Sequence, residues 1–71
     1  MQNLRSKIEF VVNLYKSGKL EESKSNCAEL IRVNPKIVFL YNLMGLILAD
    51  QNNIIEAIKF YKKGIIIDPK F

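Results

Sequence analysis

The sequence predicts an all-α protein built from two helix–turn–helix repeats. The dipeptides Asn34-Pro35 and Asp68-Pro69 each close an amphipathic run. Apolar residues in these runs recur at three- and four-residue steps, the spacing of one helix face. The dipeptides recur with a period of about 34 residues, which is typical of a stacked helix–turn–helix repeat. We therefore expect a single domain over residues 1–71, with repeat one at about 4–37 and repeat two at about 38–71.

The first two helices are predicted on either side of a glycine. The first runs from Asn3, which suits the N-cap position, to Ser17. Gly18 ends it, because glycine readily adopts the backbone conformation found just past a last helical turn. The second helix runs from about Leu20 to Val33, with acidic residues in its first turn and an arginine in its last, as the helix dipole favours.

Two more helices are predicted after Asn34-Pro35, because proline cannot continue the helix before it but suits the start of the next one. The third covers about Lys36 to Asp50 and the fourth Ile54 to Ile67, and the short loops make successive helices antiparallel neighbours. The isoleucines at 65–67 favour a strand by β-branching alone, but they continue the helical pattern. The buried stripe predicted for the fourth helix is Ile54, Ala57, Ile58, Tyr61, Gly64, Ile65 and Ile67.

The composition argues against catalysis and metal binding. The 71 residues include one cysteine and no histidine, so neither an intramolecular disulfide nor a common zinc-ligand set is available. Cys27 falls on the apolar stripe of the second helix without an obvious base, and we expect a structural thiol. No glycine-rich phosphate loop is present, and no carboxylate pair stands apart from the solvated helix faces. We predict that the chain is not an enzyme and binds no cofactor or metal.

The charge distribution favours neither nucleic acid nor a membrane. Eleven lysines and arginines against seven acidic residues give a net charge of +4, and the lysines are scattered along the chain. A nucleic-acid surface usually shows a basic stripe with aromatic residues interleaved. The most apolar run, 37–49, is too short to span a bilayer, and no apolar signal region follows the polar first residues. With one free cysteine, a reducing cytoplasm is the expected compartment.

Aligning residues 4–37 with 38–71 tests the repeat directly. Many apolar positions keep their character, and five pairs are identical: Leu14/Leu48, Glu22/Glu56, Ile31/Ile65, Pro35/Pro69 and Lys36/Lys70.

The second unit resembles a tetratricopeptide repeat. That family has an aromatic residue, a leucine-type residue followed by glycine and a large residue in its first helix, and small, aromatic and small residues before a closing proline in its second. The matching residues are Tyr41, Met44, Gly45, Leu48, Ala57, Tyr61, Gly64 and Pro69. In the first unit Pro35 fits, but Lys7 replaces the aromatic residue and Val11 the glycine, as is expected of an atypical terminal repeat.

The resemblance implies a right-handed α-solenoid that binds a protein or peptide in a groove lined by the first helix of each repeat. Ile8, Val12 and Leu46 are alternatively core or self-association residues, whereas Phe39 beside Asn42 is more typical of a binding site. Ile8 and Val12 also stand where some relatives carry a lysine and an asparagine that clamp carboxylates, so no such clamp is expected. The groove candidates are Arg5, Ile8, Val12, Tyr15, Lys16, Phe39, Asn42, Leu46, Ala49 and Asp50.

Self-association is expected through the third and fourth helices, giving a homodimer. Two repeats leave an apolar stacking face on the fourth helix without a neighbour, and three or more repeats are normally needed for stability. The missing neighbour is a second copy, a further part of a longer protein or a bound partner. The candidate residues on one face of the fourth helix are Ile55, Lys59, Lys62 and Ile66.

Two alternatives remain open. The chain is the repeat region of a larger enzyme, or it associates with RNA or a membrane surface through lysines gathered on one face. The second alternative needs Lys16, Lys19, Lys59, Lys62, Lys63 and Lys70 to lie together, and such binding would weaken steeply with added salt.

Overall fold

The computed structural model describes residues 3–70, which form four helices and no strand. The helices are α1 (Leu4–Lys16), α2 (Leu20–Val33), α3 (Val38–Asp50) and α4 (Ile54–Ile67). The predicted all-α repeat architecture is confirmed, and residues 65–67 are helical. Helix α3 begins two residues later than predicted, because Ile37 is extended and acts as its N-cap. The end of the predicted second repeat, residue 71, lies outside the described residues.

The two turns inside the repeats have the same backbone path. Gly18 and Asn52, which occupy equivalent positions of the two repeats, both adopt a positive φ, of 79° and 63°. Directly after them, the Lys19 amide donates to the Leu14 carbonyl at 2.9 Å, and the Asn53 amide donates to the Leu48 carbonyl at 2.8 Å. These bonds satisfy carbonyl groups that a helix end leaves without an intrahelical partner. The repeat read from the sequence is therefore present in the hydrogen bonds of the backbone.

Helix α3 is the centre of the fold because it is covered on two sides. It packs against α4 on one side and against α2 and α1 on the other. By helical periodicity, Tyr41, Gly45 and Leu48 face α4, and the buried stripe Leu40, Leu43 and Ile47 faces the first repeat. The thiol of Cys27 on α2 donates to the Leu40 carbonyl at 3.4 Å, which places that stripe against α2. This leaves the third face of α3 uncovered.

Close contacts hold α3 and α4 together. A Cβ atom added at Gly45 would lie 2.5 Å from Cε1 of the Tyr61 ring, so the helices approach to a distance that only glycine permits. The rings of Tyr41 and Phe60 lie 6.3 Å apart between their centroids. The Tyr41 hydroxyl donates to the Pro35 carbonyl at 2.6 Å and joins α3 to the turn between the repeats. Together these contacts give the aromatic and small residues of the second unit a packing role.

The buried stripe predicted for α4 is partly wrong. Ala57 and Gly64 are buried as predicted, and Tyr61 and Ile67 are half-buried. The side chains that are not buried are Ile54, Ile58 and Ile65, whose exposed fractions are 49%, 46% and 59%. Their counterparts in the first repeat are Leu20, Lys24 and Ile31. These residues lie on α2, against which α3 packs, and they are half-buried. No described helix follows α4 in the same way, so its apolar face remains in solvent.

Candidate functional site

The groove candidates lie on the uncovered face of α3 and the matching face of α1. Helical periodicity places residues 39, 42, 46, 49 and 50 between the two covered faces of α3. Residues 5, 8, 12, 15 and 16 occupy the same face of α1, at the equivalent positions of the first repeat. Because α1 contacts α3 directly, the two rows lie side by side. The fold thus brings the ten predicted residues onto one surface, while their use in binding remains a proposal.

The two walls of this surface differ in exposure. Phe39 and Leu46 on α3 are 44% and 46% exposed, although both are large and apolar. On α1, Ile8, Val12 and Tyr15 are half-buried and pack against the core cluster. The three α1 side chains therefore contact the core on one side and line the groove on the other. The exposed parts of Phe39 and Leu46 face solvent.

Polar groups lie at the ends of the surface. Arg5, Lys16 and Asp50 are exposed. The Asp50 carboxylate raises the pKa of the Tyr15 hydroxyl above its usual value, mainly through hydrogen bonding. Asn42 is half-buried and leans towards α4, since its Oδ1 lies 3.4 Å from the point where a Gly64 Cβ would stand.

The predicted self-association residues lie on the exposed side of α4. Ile55 and Ile66 are 73% and 81% exposed. Lys62 is exposed, and Lys59 pairs with Glu56 through a 3.0 Å contact between Nζ and Oε1. Helical periodicity places the exposed Ile54, Ile58 and Ile65 beside Ile55 and Ile66, so the five isoleucines form one surface. Sequence reasoning missed the last three as part of it, although the register with Leu20, Lys24 and Ile31 was available as a signal.

A second concave feature, the α1–α2 hollow, was not anticipated. It has a volume of about 580 Å³ and is lined by Leu4, Lys7, Phe10, Val11, Asn26, Glu29, Leu30, Val33 and Asn34. In the second repeat the counterparts of Lys7 and Asn26 are Tyr41 and Phe60, whose rings pack together between α3 and α4. The hollow therefore exists because the first repeat lacks this aromatic pair. The available signal was Lys7 at the aromatic position.

The thiol of Cys27 is buried, as predicted, and unsuited to nucleophilic chemistry. Its side chain is inaccessible to solvent, and desolvation raises the pKa of the Cys27 thiol to about 11. A thiol with such a pKa carries little of the reactive thiolate at neutral pH.

Residues 3–70 offer no candidate for a membrane-spanning helix or for a metal site. None of the four helices has the length and hydropathy needed to cross a membrane. No group of three or more cysteine or acidic side chains in this part of the chain is arranged to hold a metal ion.

Comparison with known proteins gives one match. Residues 40–71 match the family model described as tetratricopeptide repeat. This segment contains the aromatic, glycine and proline positions from Tyr41 to Pro69. Neither a curated protein nor a solved structure matches the chain.

Proposed function

We propose, since residues 40–71 match the tetratricopeptide-repeat family model and the fold has the same helical architecture, that the chain is a non-catalytic scaffold. In this proposal it holds a segment of a partner protein against the groove face of α1 and α3. Repeats of this family generally bind proteins or peptides. The observation that carries the choice of surface is the exposure of Phe39 and Leu46 beside the half-buried α1 wall.

The spacing of the two exposed side chains defines the ligand that fits. Phe39 and Leu46 are seven residues apart on α3, which is about 10 Å along a helix axis. A partner helix matches this distance with apolar residues at i and i+7, and an extended strand matches it at i and i+3. Asp50, Arg5 and Lys16 at the ends give polar contacts that set direction. We therefore propose an amphipathic segment with two apolar anchors about 10 Å apart.

The test is selection of binders from a displayed peptide library, followed by fluorescence anisotropy on synthetic peptides. Phe39→Ala and Leu46→Ala are each expected to weaken binding about 10- to 100-fold, because truncating an interface anchor has effects of that order. Val33→Ala is the matched control, since Val33 is an exposed apolar residue outside the groove and is expected to leave affinity unchanged.

Salt dependence separates this proposal from its main alternative. Contacts made by apolar anchors change little between about 0.05 and 0.5 M salt, whereas binding led by lysines falls steeply. Peptides that bind the wild-type protein and Phe39→Ala equally, and lose affinity on replacement of Lys59 and Lys62, would place the partner elsewhere and contradict the groove.

Self-association is the second function that we propose, on the basis of the five exposed isoleucines of α4. A contiguous apolar surface of this kind is typical of an interaction site. Light scattering across a concentration series is expected to show a dimer, and Ile55→Lys and Ile66→Lys are expected to weaken it. A monomer at every concentration up to about 1 mM, well above micromolar dissociation constants, would refute self-association and leave the groove as the working surface.

A further inference from the structure

The exposed face of α4 has the spacing of a helix-pairing seam. Ile54, Ile58, Tyr61 and Ile65 follow one another at steps of four, three and four residues, which is the d–a–d–a pattern of a coiled coil. The three isoleucines are about half exposed, and Tyr61 is half-buried at the edge of the row. Ile55 and Lys62 follow the two d positions and flank the seam on one side. We call Ile54, Ile58, Tyr61 and Ile65 the α4 seam.

The same positions on α2 are used for packing inside the chain. The α4 seam corresponds, in the first repeat, to Leu20, Lys24, Cys27 and Ile31. Leu20 and Ile31 pack against the core, and the Cys27 thiol reaches the Leu40 carbonyl of α3. Beside this row, Glu21 accepts from the Gln51 side chain at the end of α3, at 2.6 Å. The α4 seam is therefore the surface on which a further helix stacks in this architecture.

A second copy stacked head to tail does not supply a suitable helix. Within the chain the α2 row meets the apolar stripe Leu40, Leu43 and Ile47, all buried. The corresponding stripe on α1 is Ser6, Glu9 and Asn13, all exposed and polar. Covering these groups with isoleucines would remove a carboxylate and an amide from water without giving them partners, which is unfavourable. The chain thus has an apolar face at α4 and a polar face at α1, and the two do not match.

We propose that the α4 seams of two copies pair with each other, antiparallel, across a two-fold axis. This inference rests on the proposed self-association and gives it a geometry. In an antiparallel pair a positions face d positions, so Ile54 lies against Ile65 of the other copy and Ile58 against Tyr61. The stem of Lys62 covers Ile55 of the other copy, and its charged end reaches solvent. The pair is closed, because both copies use the same patch.

The area available at the α4 seam agrees with a weak, reversible dimer. The exposed fractions of Ile54, Ile55, Ile58 and Ile65 are equivalent to a little more than two complete side chains, or roughly 300 Å² per copy. With Tyr61 and the Lys62 stem, two copies bury on the order of 800 Å², at the low end of interface sizes. We therefore expect a dissociation constant in the micromolar range, roughly 1–100 µM.

The first test is the solution mass between about 1 µM and 1 mM, concentrations that bracket the expected dissociation constant. The mass is expected to rise to twice that of the monomer and to stop there. Ile58→Lys is expected to raise the dissociation constant at least tenfold, with Ile58→Ser as a milder second variant, and circular dichroism checks that both remain helical. Val33→Lys and Glu9→Lys are matched controls on an exposed apolar residue and on the polar α1 stripe, and are expected to dimerise normally.

The second test is disulfide trapping of the register. Ile54→Cys and Ile65→Cys are expected to cross-link when the two variants are mixed, and neither is expected to cross-link with itself. Identical positions would be about 16 Å apart along the pair, and Cα atoms more than about 7 Å apart cannot be bridged. The natural Cys27 does not compete, because it is buried.

The possible results distinguish pairing through the α4 seam from self-association through another surface. A monomer throughout the series refutes both. A dimer insensitive to Ile58→Lys, or a mixture that does not cross-link, refutes the seam while self-association stands. A mass that grows beyond two copies, or sensitivity to Glu9→Lys, shows head-to-tail stacking and overturns the closed pair.

Discussion

Replacing Gly45 by alanine tests the contact at the centre of the second repeat. The added Cβ would lie 2.5, 2.6 and 2.8 Å from three carbons of the Tyr61 ring. Carbon atoms pack favourably at about 3.5–4.0 Å, so the ring and α3 must separate by about 1 Å. The ring cannot move freely, because Tyr61 packs against the core cluster. The substitution therefore overfills a packed interface.

The expected size of the effect is the difference between two opposing contributions. Overpacking a core typically costs about 1–3 kcal/mol. Alanine in a helix interior is more favourable than glycine by about 0.5–1 kcal/mol. The net loss for Gly45→Ala is thus about 0–2.5 kcal/mol with a central value of about 1 kcal/mol, which lowers the Tm of a domain of this size by roughly 4–8 °C.

Gly64→Ala is the matched control on α4. A Cβ at Gly64 would meet its nearest atom, Asn42 Oδ1, at 3.4 Å, an ordinary contact. This variant keeps the helix-propensity gain without the clash, and its Tm is expected to rise by a few degrees. Thermal unfolding followed by circular dichroism at one fixed protein concentration measures both variants, since association would otherwise shift the Tm.

A double-mutant cycle with Tyr61→Ala assigns the effect to the ring. In the Tyr61→Ala background Gly45→Ala is expected to become neutral or stabilising, a coupling of about 2 kcal/mol. Equal destabilisation in both backgrounds would show that the ring is not the obstacle. A Gly45→Ala protein as stable as Gly64→Ala would refute the close approach of α3 and α4.

Three further predictions follow from the first repeat. Lys7→Tyr combined with Asn26→Phe introduces the aromatic pair of the second repeat into the α1–α2 hollow and is expected to stabilise the fold by about 1–2 kcal/mol in urea unfolding; no change would mean that the hollow does not accept the rings. Cys27, with its thiol pKa of about 11, is expected to react with a thiol reagent at pH 8 roughly a hundredfold more slowly than in urea, and equal rates would show that the thiol is accessible. Asp50 raises the folded-state pKa of Tyr15, so the stabilisation from their interaction is fully present below the ordinary tyrosine pKa and is lost as pH rises through the raised value. Ultraviolet titration is expected to show that Tyr15 ionises earlier in Asp50→Asn than in the wild-type protein, and an unchanged curve would contradict the interaction.

The fold could be predicted because its determinants are local. Helical periodicity, the two prolines and the register between the repeats are read directly along the chain, and the four helices lie within two residues of their predicted bounds. The matched positive φ at Gly18 and Asn52 shows that the register extends to the turn backbone. Asparagine tolerates a positive φ better than most residues. The turn at Asn52 can therefore follow the same backbone path as the turn at Gly18 although it lacks glycine.

Exposure was less predictable, because periodicity shows which face is apolar but not whether another helix covers it. Ile54, Ile58 and Ile65 continue the buried pattern of α2, yet within residues 3–70 only the α2 row is covered by a following helix. Likewise, Lys7 marks a missing aromatic residue in the sequence. Only the structure shows that the neighbouring side chains do not collapse into the space.

The candidate groove shows the same division. Its ten residues are implied by the resemblance to the tetratricopeptide repeat, and they stand at equivalent positions of the first helix of each repeat. Which wall gives more apolar surface depends on how α1 packs against α3, and so does the effect of Asp50 on the pKa of Tyr15. Both depend on tertiary packing, which the sequence pattern does not predict.

The mismatch between the two end faces leads to a final prediction about assembly. Replacing the polar α1 stripe by its second-repeat counterparts, as Ser6→Leu, Glu9→Leu and Asn13→Ile, would give α1 the stripe that receives α2 inside the chain. Each copy would then present an α4 seam and a complementary α1 stripe. Because this contact is head to tail, it does not close on two copies and adds units in one direction.

Light scattering of the triple variant is therefore expected to show a mass that rises with concentration without stopping at two copies. Adding Ile58→Lys to the triple variant is expected to abolish the growth, because the same seam is used in the new contact. Growth that survives Ile58→Lys would reflect non-specific association of the leucines. A triple variant that stays dimeric would show that the polar stripe is not what prevents these repeats from stacking end to end.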